Sequence, residues 1–176
     1  VIDLFAGIGG LLYACSVLSM DFIALCGEMD AGFRTSISAN FPSAVVFADV
    51  PCFRVSWLNT SLGRRQLAGI LVGARPPCQP NSTLNVDSKQ FGDARADLAD
   101  APRRIIDSIS AEFPNIPILH FVEAPVGREV FRQHLGRLYG PPLGVDAAIF
   151  GYVKRARLFY CGGLRGTWWS KAVLEG

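Results

Sequence analysis

Charged residues are scarce in this chain of 176 residues: Asp, Glu, Lys and Arg together make up 18%, while half of all residues are hydrophobic. A chain so composed can bury enough apolar surface to offset its ordering entropy, which excludes intrinsic disorder. Neither sign of charge dominates. The formal net charge is only +2, so composition demands no polyanionic partner, although clustered charges can still line a basic cleft. Long apolar runs are also missing. Asp21, Glu28, Asp30 and Arg34 interrupt the greasy N-terminal third, which falls short of the ~18 residues a bilayer span needs, and no membrane partner is expected. CxxC pairs are absent: Cys15, Cys26, Cys52, Cys78 and Cys161 are odd in number and widely spaced. Neither a disulfide scaffold nor a zinc or other metal site is signalled, and a reducing, intracellular compartment is expected. The opening Val1-Ile2-Asp3 lacks both an initiator Met and the basic start of a secretory signal, and reads as the start of a fragment or processed chain. No internal repeat or low-complexity tract is visible, and the length fits one domain over 1–176.

Short apolar runs bounded by Gly or Pro alternate with segments of helical period, the pattern of βαβ units around a mostly parallel sheet with helices on both faces. The expected strands are Val1–Phe5, Phe22–Cys26, Ala44–Phe47, Ala68–Val72 and Ile118–Val122, with a late pair at Ala147–Gly151 and Leu158–Cys161. Helices are expected over Gly9–Leu18, Ala31–Asn40, Arg95–Phe113 and Val126–Leu138, Pro102 being tolerable only near a first turn. Gly73–Gly92 carries Pro76, Pro77 and Pro80 and a run of polar residues, so it reads as a long functional loop.

Gly7-Ile8-Gly9-Gly10 falls where the first strand turns into the first helix, which in an open α/β sheet is the carboxyl-edge crevice. A dinucleotide fingerprint GxGxxG starting at Gly7 requires glycine at position 12, where Leu12 stands, so the nicotinamide reading fails on spacing. Glu28, at the end of the second strand, can accept from both ribose hydroxyls, and Asp49 from an adenine amine. Glycines that only make a tight turn, with two solvated acids, are the bland alternative. Glycine and acid groups at three successive strand ends favour a nucleoside pocket, with S-adenosylmethionine the best candidate once dinucleotides are set aside.

Cys78 sits in Gly73-Ala74-Arg75-Pro76-Pro77-Cys78-Gln79-Pro80, after the fourth strand and so at the same sheet edge. Cys15 and Cys26, inside an apolar helix face and a strand, read as small buried hydrophobes. Cys78 has rigid, polar, loop-forming neighbours instead.

With these residues in place the sequence resembles the DNA (cytosine-5) methyltransferases. Asp3-Leu4-Phe5-Ala6-Gly7-Ile8-Gly9-Gly10 is similar to that family's cofactor loop, Glu28-Met29-Asp30 to its ribose-binding turn and Ala48-Asp49-Val50 to its adenine-side turn. Pro77-Cys78-Gln79 with Ser82 resembles its nucleophile loop, Asp93-Ala94-Arg95-Ala96-Asp97-Leu98 its DxRxxL segment, Glu123 the glutamate of Glu-Asn-Val, and Arg155-Ala156-Arg157 its paired arginines. Each motif is weak alone; the set in this order, from Val1 to about Leu164, is specific.

The resemblance implies a Rossmann-like S-adenosylmethionine-dependent methyltransferase fold that transfers a methyl group to carbon 5 of a cytosine flipped out of DNA. It implies Cys78 as the nucleophile, Glu123 as the group meeting ring nitrogen 3, and Arg155 and Arg157 as planar donors holding the base. Cofactor contacts are implied for Phe5, Ala6, Gly7, Ile8, Gly10, Glu28, Met29, Asp49, Val50, Pro77 and Leu98. The location would be the nucleus in a eukaryote and the cytoplasm in a bacterium. The family also has a target recognition domain and a closing helix after the paired arginines, and these are expected outside this chain, as is any partner supplying sequence recognition. Three departures stand out: Ala124 and Pro125 where the family has asparagine and valine, Val153 where it has glutamine, and Asn81 in place of an aromatic residue. A catalytically inactive module binding DNA or a protein, and an RNA cytosine methyltransferase, are the alternative readings.

Overall fold

A computed structural model describes residues 1–62, 66–77, 96–149, 151 and 153–164. The strands are β1 (Ile2–Leu4), β2 (Leu25–Gly27), β3 (Val45–Phe47), β4 (Ile70–Ala74), β5 (Ile118–Pro125), β6 (Leu143–Asp146) and β7 (Ala156–Leu164). The helices are α1 (Gly10–Val17), α2 (Ala31–Asn40), α3 (Ser56–Leu62), α4 (Ala101–Glu112) and α5 (Glu129–Tyr139). One sheet contains all seven strands in the order β3-β2-β1-β4-β5-β7-β6. The pairings from β3 through β5 are parallel, and β7 runs antiparallel to both β5 and β6. The Rossmann-like α/β fold expected from the sequence is therefore present, with one reversed strand near an edge.

Local chemistry explains most element ends. Asp30 caps α2 by accepting the Phe33 N–H at 2.9 Å. Pro102 sits in the first turn of α4, where its missing N–H costs nothing. Ahead of it, the expected helical start at Arg95 gives way to a 3-10 turn over Ala96–Ala99. Leu12 of α1 and Ile37 of α2 pack with Cys26 on one face of the sheet. Leu58 of α3, Ile105, Ile106 and Ile109 of α4, and Phe131, Leu135 and Tyr139 of α5 pack on the other. Cys15 and Cys26 are buried as expected, and burial pushes the Cys26 thiol up to about 12. Among the described residues no helix is long and apolar enough to cross a membrane.

Other expectations need correction. The late strand placed at Ala147–Gly151 lies earlier, at Leu143–Asp146, and Ala147–Ile149 form a 3-10 turn. Asp146 is the cause: its Oδ1 accepts from Ala148 N at 3.0 Å and Arg155 N at 2.9 Å, a local turn that competes with a ladder. The fifth strand continues three residues past Val122, because β7 pairs with it as far as Pro125 opposite Arg157. The second strand is confined to Leu25–Gly27. Helix α3 was not anticipated at all; Leu58 buries it against the core.

Candidate functional site

The chain leaves β1 for β2 and β3 on one side, whereas β4 lies on its other side. Such a switch in strand order opens a crevice beyond the carboxyl ends of β1 and β4. The turn after β1, the acid after β2, the turn after β3 and Arg75-Pro76-Pro77 after β4 all lie at this edge.

The glycine turn is tightly fixed. Phe5, Gly7 and Gly9 have φ of +59°, +58° and +88°. For Phe5 this left-handed conformation costs roughly 1–2 kcal/mol and persists only where neighbours hold it. Those neighbours are visible: Ala6 N donates to Gly27 O and Gly9 N to Ala6 O, each at 3.0 Å. Glu28 does most to join the first two strand ends. Its Oε2 accepts the Gly7 N–H at 2.7 Å and its Oε1 the Asp30 N–H at 2.9 Å. Arg34 in turn donates to the carbonyls of Glu28 and Met29. Behind Gly27 stands an aromatic cluster, with Phe47 and Trp57 rings 5.1 Å apart and Phe53 beside both. A Cβ on Gly27 would lie 2.7 Å from Phe47, so only glycine lets β2 approach this wall.

Two residues given no role from the sequence help hold the turn. Arg75 Nη2 donates to Ala6 O at 2.7 Å across a sequence separation of 69. It thereby links the β4 end to the glycine turn. Asp3 is 2% exposed, and its Oδ2 has no hydrogen-bond partner among the described residues. Burial pushes its carboxyl up to about 7, with Glu28 repulsion adding to the rise; the Arg75 guanidinium and the Leu11 N–H oppose it. The available signal was a carboxylate at the centre of an otherwise wholly buried strand and an arginine immediately after β4.

The remaining expected cofactor residues are distributed around the crevice. Ile8 and Met29 are exposed apolar side chains, 65% and 83%, and Gly10 begins α1. Asp49 is exposed and accepts a weak bond from Cys52 Sγ at 3.7 Å, while Val50 is buried in the turn that follows. Pro77 and Leu98 are half-buried, Leu98 in the turn preceding α4. Cys78 lies outside the described residues.

On the far side of β4, Glu123 occupies the carboxyl-terminal part of β5. Arg157, opposite Pro125 on β7, donates from Nε to Glu123 Oε1 at 2.6 Å, with both side chains mostly buried. Reversal of β7 makes this pairing possible, since it brings the start of that strand to the carboxyl end of β5. The two arginines separate here. Arg155 is exposed, and its backbone is held by Asp146 two strands away from Glu123.

No protein-family model and no curated protein sequence matches the chain. Solved structures do match. A DNA modification methyltransferase encoded within an E. coli prophage aligns with a TM-score of 0.65 at 22% identity, over 98% of this chain and 47% of its own. The two chains share a fold. The Entamoeba histolytica methyltransferase EhMeth aligns with a TM-score of 0.68 at 16% identity, over 96% of this chain and 54% of its own. For the S. pombe Dnmt2 methyltransferase the values are 0.61 and 15%, over 99% and 52%. The chain spans about half the length of each of these methyltransferases.

Proposed function

We propose that this chain is the catalytic part of a DNA (cytosine-5) methyltransferase with S-adenosylmethionine as methyl donor. One observation carries the reading: the Glu28-fixed glycine turn and the Glu123–Arg157 pair share one edge of the sheet, on either side of the β4 end that leads into Pro77 and Cys78. A donor pocket, an acid–guanidinium pair and a thiol that follows the intervening strand in sequence are the parts a cytosine methyl transfer needs.

The residues fit the cofactor. Each Glu28 oxygen accepts one backbone N–H and keeps a second lone pair for a ribose hydroxyl. Asp49 offers an acceptor to the adenine amine, and Ile8 and Met29 offer exposed apolar surface to the base. The glycine turn at the start of α1 has no Cβ at Gly7, Gly9 or Gly10, which lets a ligand approach its backbone closely; the Gly7 and Gly9 N–H groups are themselves taken by Glu28 and the Ala6 carbonyl. Phe5, Ala6, Val50, Pro77 and Leu98 complete the walls. When bound, the cofactor supplies an electrophilic sulfonium methyl.

Carbon 5 of cytosine is a weak nucleophile, so the ring is activated covalently. The Cys78 thiolate forms a bond to carbon 6, and the electron pair displaced into the ring is met at nitrogen 3 by Glu123 acting as proton donor. Arg157 engages Oε1 of Glu123, which leaves Oε2 for the base. With the cofactor held in the crevice, carbon 5 would take its methyl group, the methyl–sulfur bond breaking to leave S-adenosylhomocysteine. The carbon 5 proton passes to solvent water, its bonding pair forms the carbon 5–carbon 6 double bond as the Cys78 thiolate leaves, and nitrogen 3 returns its proton to Glu123, which restores the aromatic ring. Arg155, exposed at the start of β7, contacts the phosphate backbone of the flipped nucleotide. Recognition of the DNA sequence falls to a further domain or a partner.

Transfer of labelled methyl groups from S-adenosylmethionine to duplex DNA, with Cys78→Ala and an RNA of the same sequence in parallel, tests the reading. Label on DNA that vanishes with Cys78→Ala supports it. Label on RNA alone, or label that survives the substitution, contradicts it.

A further inference from the structure

S-adenosylmethionine carries a nucleoside, a sulfonium and an amino-acid end with one ammonium and one carboxylate. The acids at the crevice suit the hydroxyls and the cationic groups. Glu28 and Asp49 line this edge, and Asp3 lies just inside the sheet. An anion placed among them needs a cation of its own. The glycine turn supplies little toward it: Gly7 N–H is taken by Glu28 Oε2, Gly9 N–H by the Ala6 carbonyl and Leu11 N–H by Asp3.

Arg75 stands over this turn. A Cβ on Gly7 would lie 3.4 Å from its Nη2, and one on Gly10 3.9 Å from the same atom. The residue is exposed, so the guanidinium meets the crevice rather than the core. Its position is fixed at backbone and side chain alike. The Arg75 N–H donates to Leu4 O at 3.1 Å and Nη2 to Ala6 O at 2.7 Å, and Pro76, next in the chain, restricts the Arg75 backbone to extended conformations. A planar fork held in this way loses little freedom when a ligand docks.

The fork is largely open. Among the described residues the bond to Ala6 O is the one hydrogen bond the guanidinium makes, and the rest of its N–H groups remain for a ligand. Among the described residues no carboxylate forms an ion pair with it. Asp3, whose charge it senses, keeps Oδ2 without a hydrogen-bond partner among them.

We propose that Arg75 binds the carboxylate at the amino-acid end of the methyl donor, through a forked pair of N–H···O bonds. The assignment rests on the cofactor reading above and adds to it the residue that recognises an amino acid rather than a bare nucleoside. Strand order supports it. Glu28 follows β2 and Arg75 follows β4, on either side of β1. Two strand spacings separate them by roughly 10 Å, which suits a ligand with a ribose at one end and an amino acid at the other.

Calorimetric titration of the full chain with S-adenosylmethionine and with its decarboxylated analogue tests it, since the analogue keeps the nucleoside, the sulfonium and the ammonium. The parent is expected to bind S-adenosylmethionine on the order of 10- to 100-fold more tightly than the analogue. Arg75→Gln is expected to abolish that preference, weakening S-adenosylmethionine by the same factor and leaving the analogue within about twofold. Arg75→Lys, which keeps the charge without the fork, is expected to retain part of it. Unchanged analogue binding also reports an intact glycine turn. Equal losses for both ligands in both variants would make Arg75 a brace for the Ala6 carbonyl alone, and a full preference in Arg75→Gln would place the carboxylate elsewhere; either result overturns the proposal. A parent that binds neither ligand would overturn the cofactor reading itself, and the assignment with it.

Discussion

Arg157 Nε lies 2.6 Å from Glu123 Oε1, across the antiparallel junction that joins β7 to β5 of the parallel part of the sheet. Two side chains from strands of opposite direction meet there because β7 enters beside β5 from the crevice end. The guanidinium engages one carboxyl oxygen from a donor in a fixed plane; in the proposed function the other oxygen serves the base.

Glu123→Gln keeps the size and the contact with Arg157 but cannot deliver a proton to nitrogen 3. Methyl transfer is expected to fall on the order of 100-fold or more, while cofactor affinity measured by calorimetry stays within about twofold. Equal losses in both would mean that Glu123 acts on cofactor binding instead.

Glu28→Ala removes the acceptor for Gly7 N and Asp30 N at once. Charged hydrogen bonds of this kind contribute roughly 1.5–3 kcal/mol, so S-adenosylmethionine affinity is expected to fall on the order of 10- to 100-fold. Calorimetric titration checks this, and an unchanged affinity would remove the acid from the site.

Gly73→Ala places a Cβ 2.5 Å from Leu11 Cδ2 and 2.9 Å from the Phe121 ring. Overpacking at such a point costs about 1–3 kcal/mol. The expected result is a lower midpoint of thermal unfolding, with the largest loss of hydrogen-exchange protection in α1 and β4.

Asp3 gives stability a defined pH dependence. Its folded-state value of about 7 lies above the ordinary 3.8, so between these values the folded protein holds a proton that the unfolded chain has released. Stability contributed by this group is complete below about pH 4 and is lost as pH rises toward 7. Asp3→Asn removes the linkage while its amide oxygen can still accept the Leu11 N–H. The variant is expected to gain stability relative to the parent between pH 5 and pH 8, by up to a few kcal/mol. Parallel stability curves for the two proteins in denaturant titrations would contradict this.

Much of the site is legible in sequence because it is built from strand ends. Gly7, Glu28 and Asp49 follow short apolar runs, and a parallel sheet brings all such ends to one edge without knowledge of the strand order. The same ground points to Cys78, which lies outside the described residues. What escaped depends on distant pairing. Arg75 acquires a role only when β4 lies beside β1, and Asp3 only when α1 closes over it. The separation of Arg155 from Arg157 depends on the Asp146 turn, which also displaced the expected strand at Ala147–Gly151. Helix α3 escaped because it is only seven residues long and, among its residues of described burial, Leu58 and Trp57 alone pack against the core, too short a pattern for periodicity to reveal. The reversal of β7 escaped for a similar reason: direction is set by its partner β5 and leaves no mark in the apolar run Leu158–Cys161.

In the proposed mechanism Cys78 attacks a flipped cytosine beside a bound methyl donor. Incubation with S-adenosylmethionine and duplex DNA carrying 5-fluorocytosine, whose fluorine cannot leave as a proton does, captures that attack. A protein–DNA adduct is expected that survives denaturation, requires the cofactor and is absent with Cys78→Ala. DNA binding without any such adduct, both for this chain and for the chain joined to a target recognition domain, would contradict the mechanism and leave a methyltransferase fold that binds without reacting.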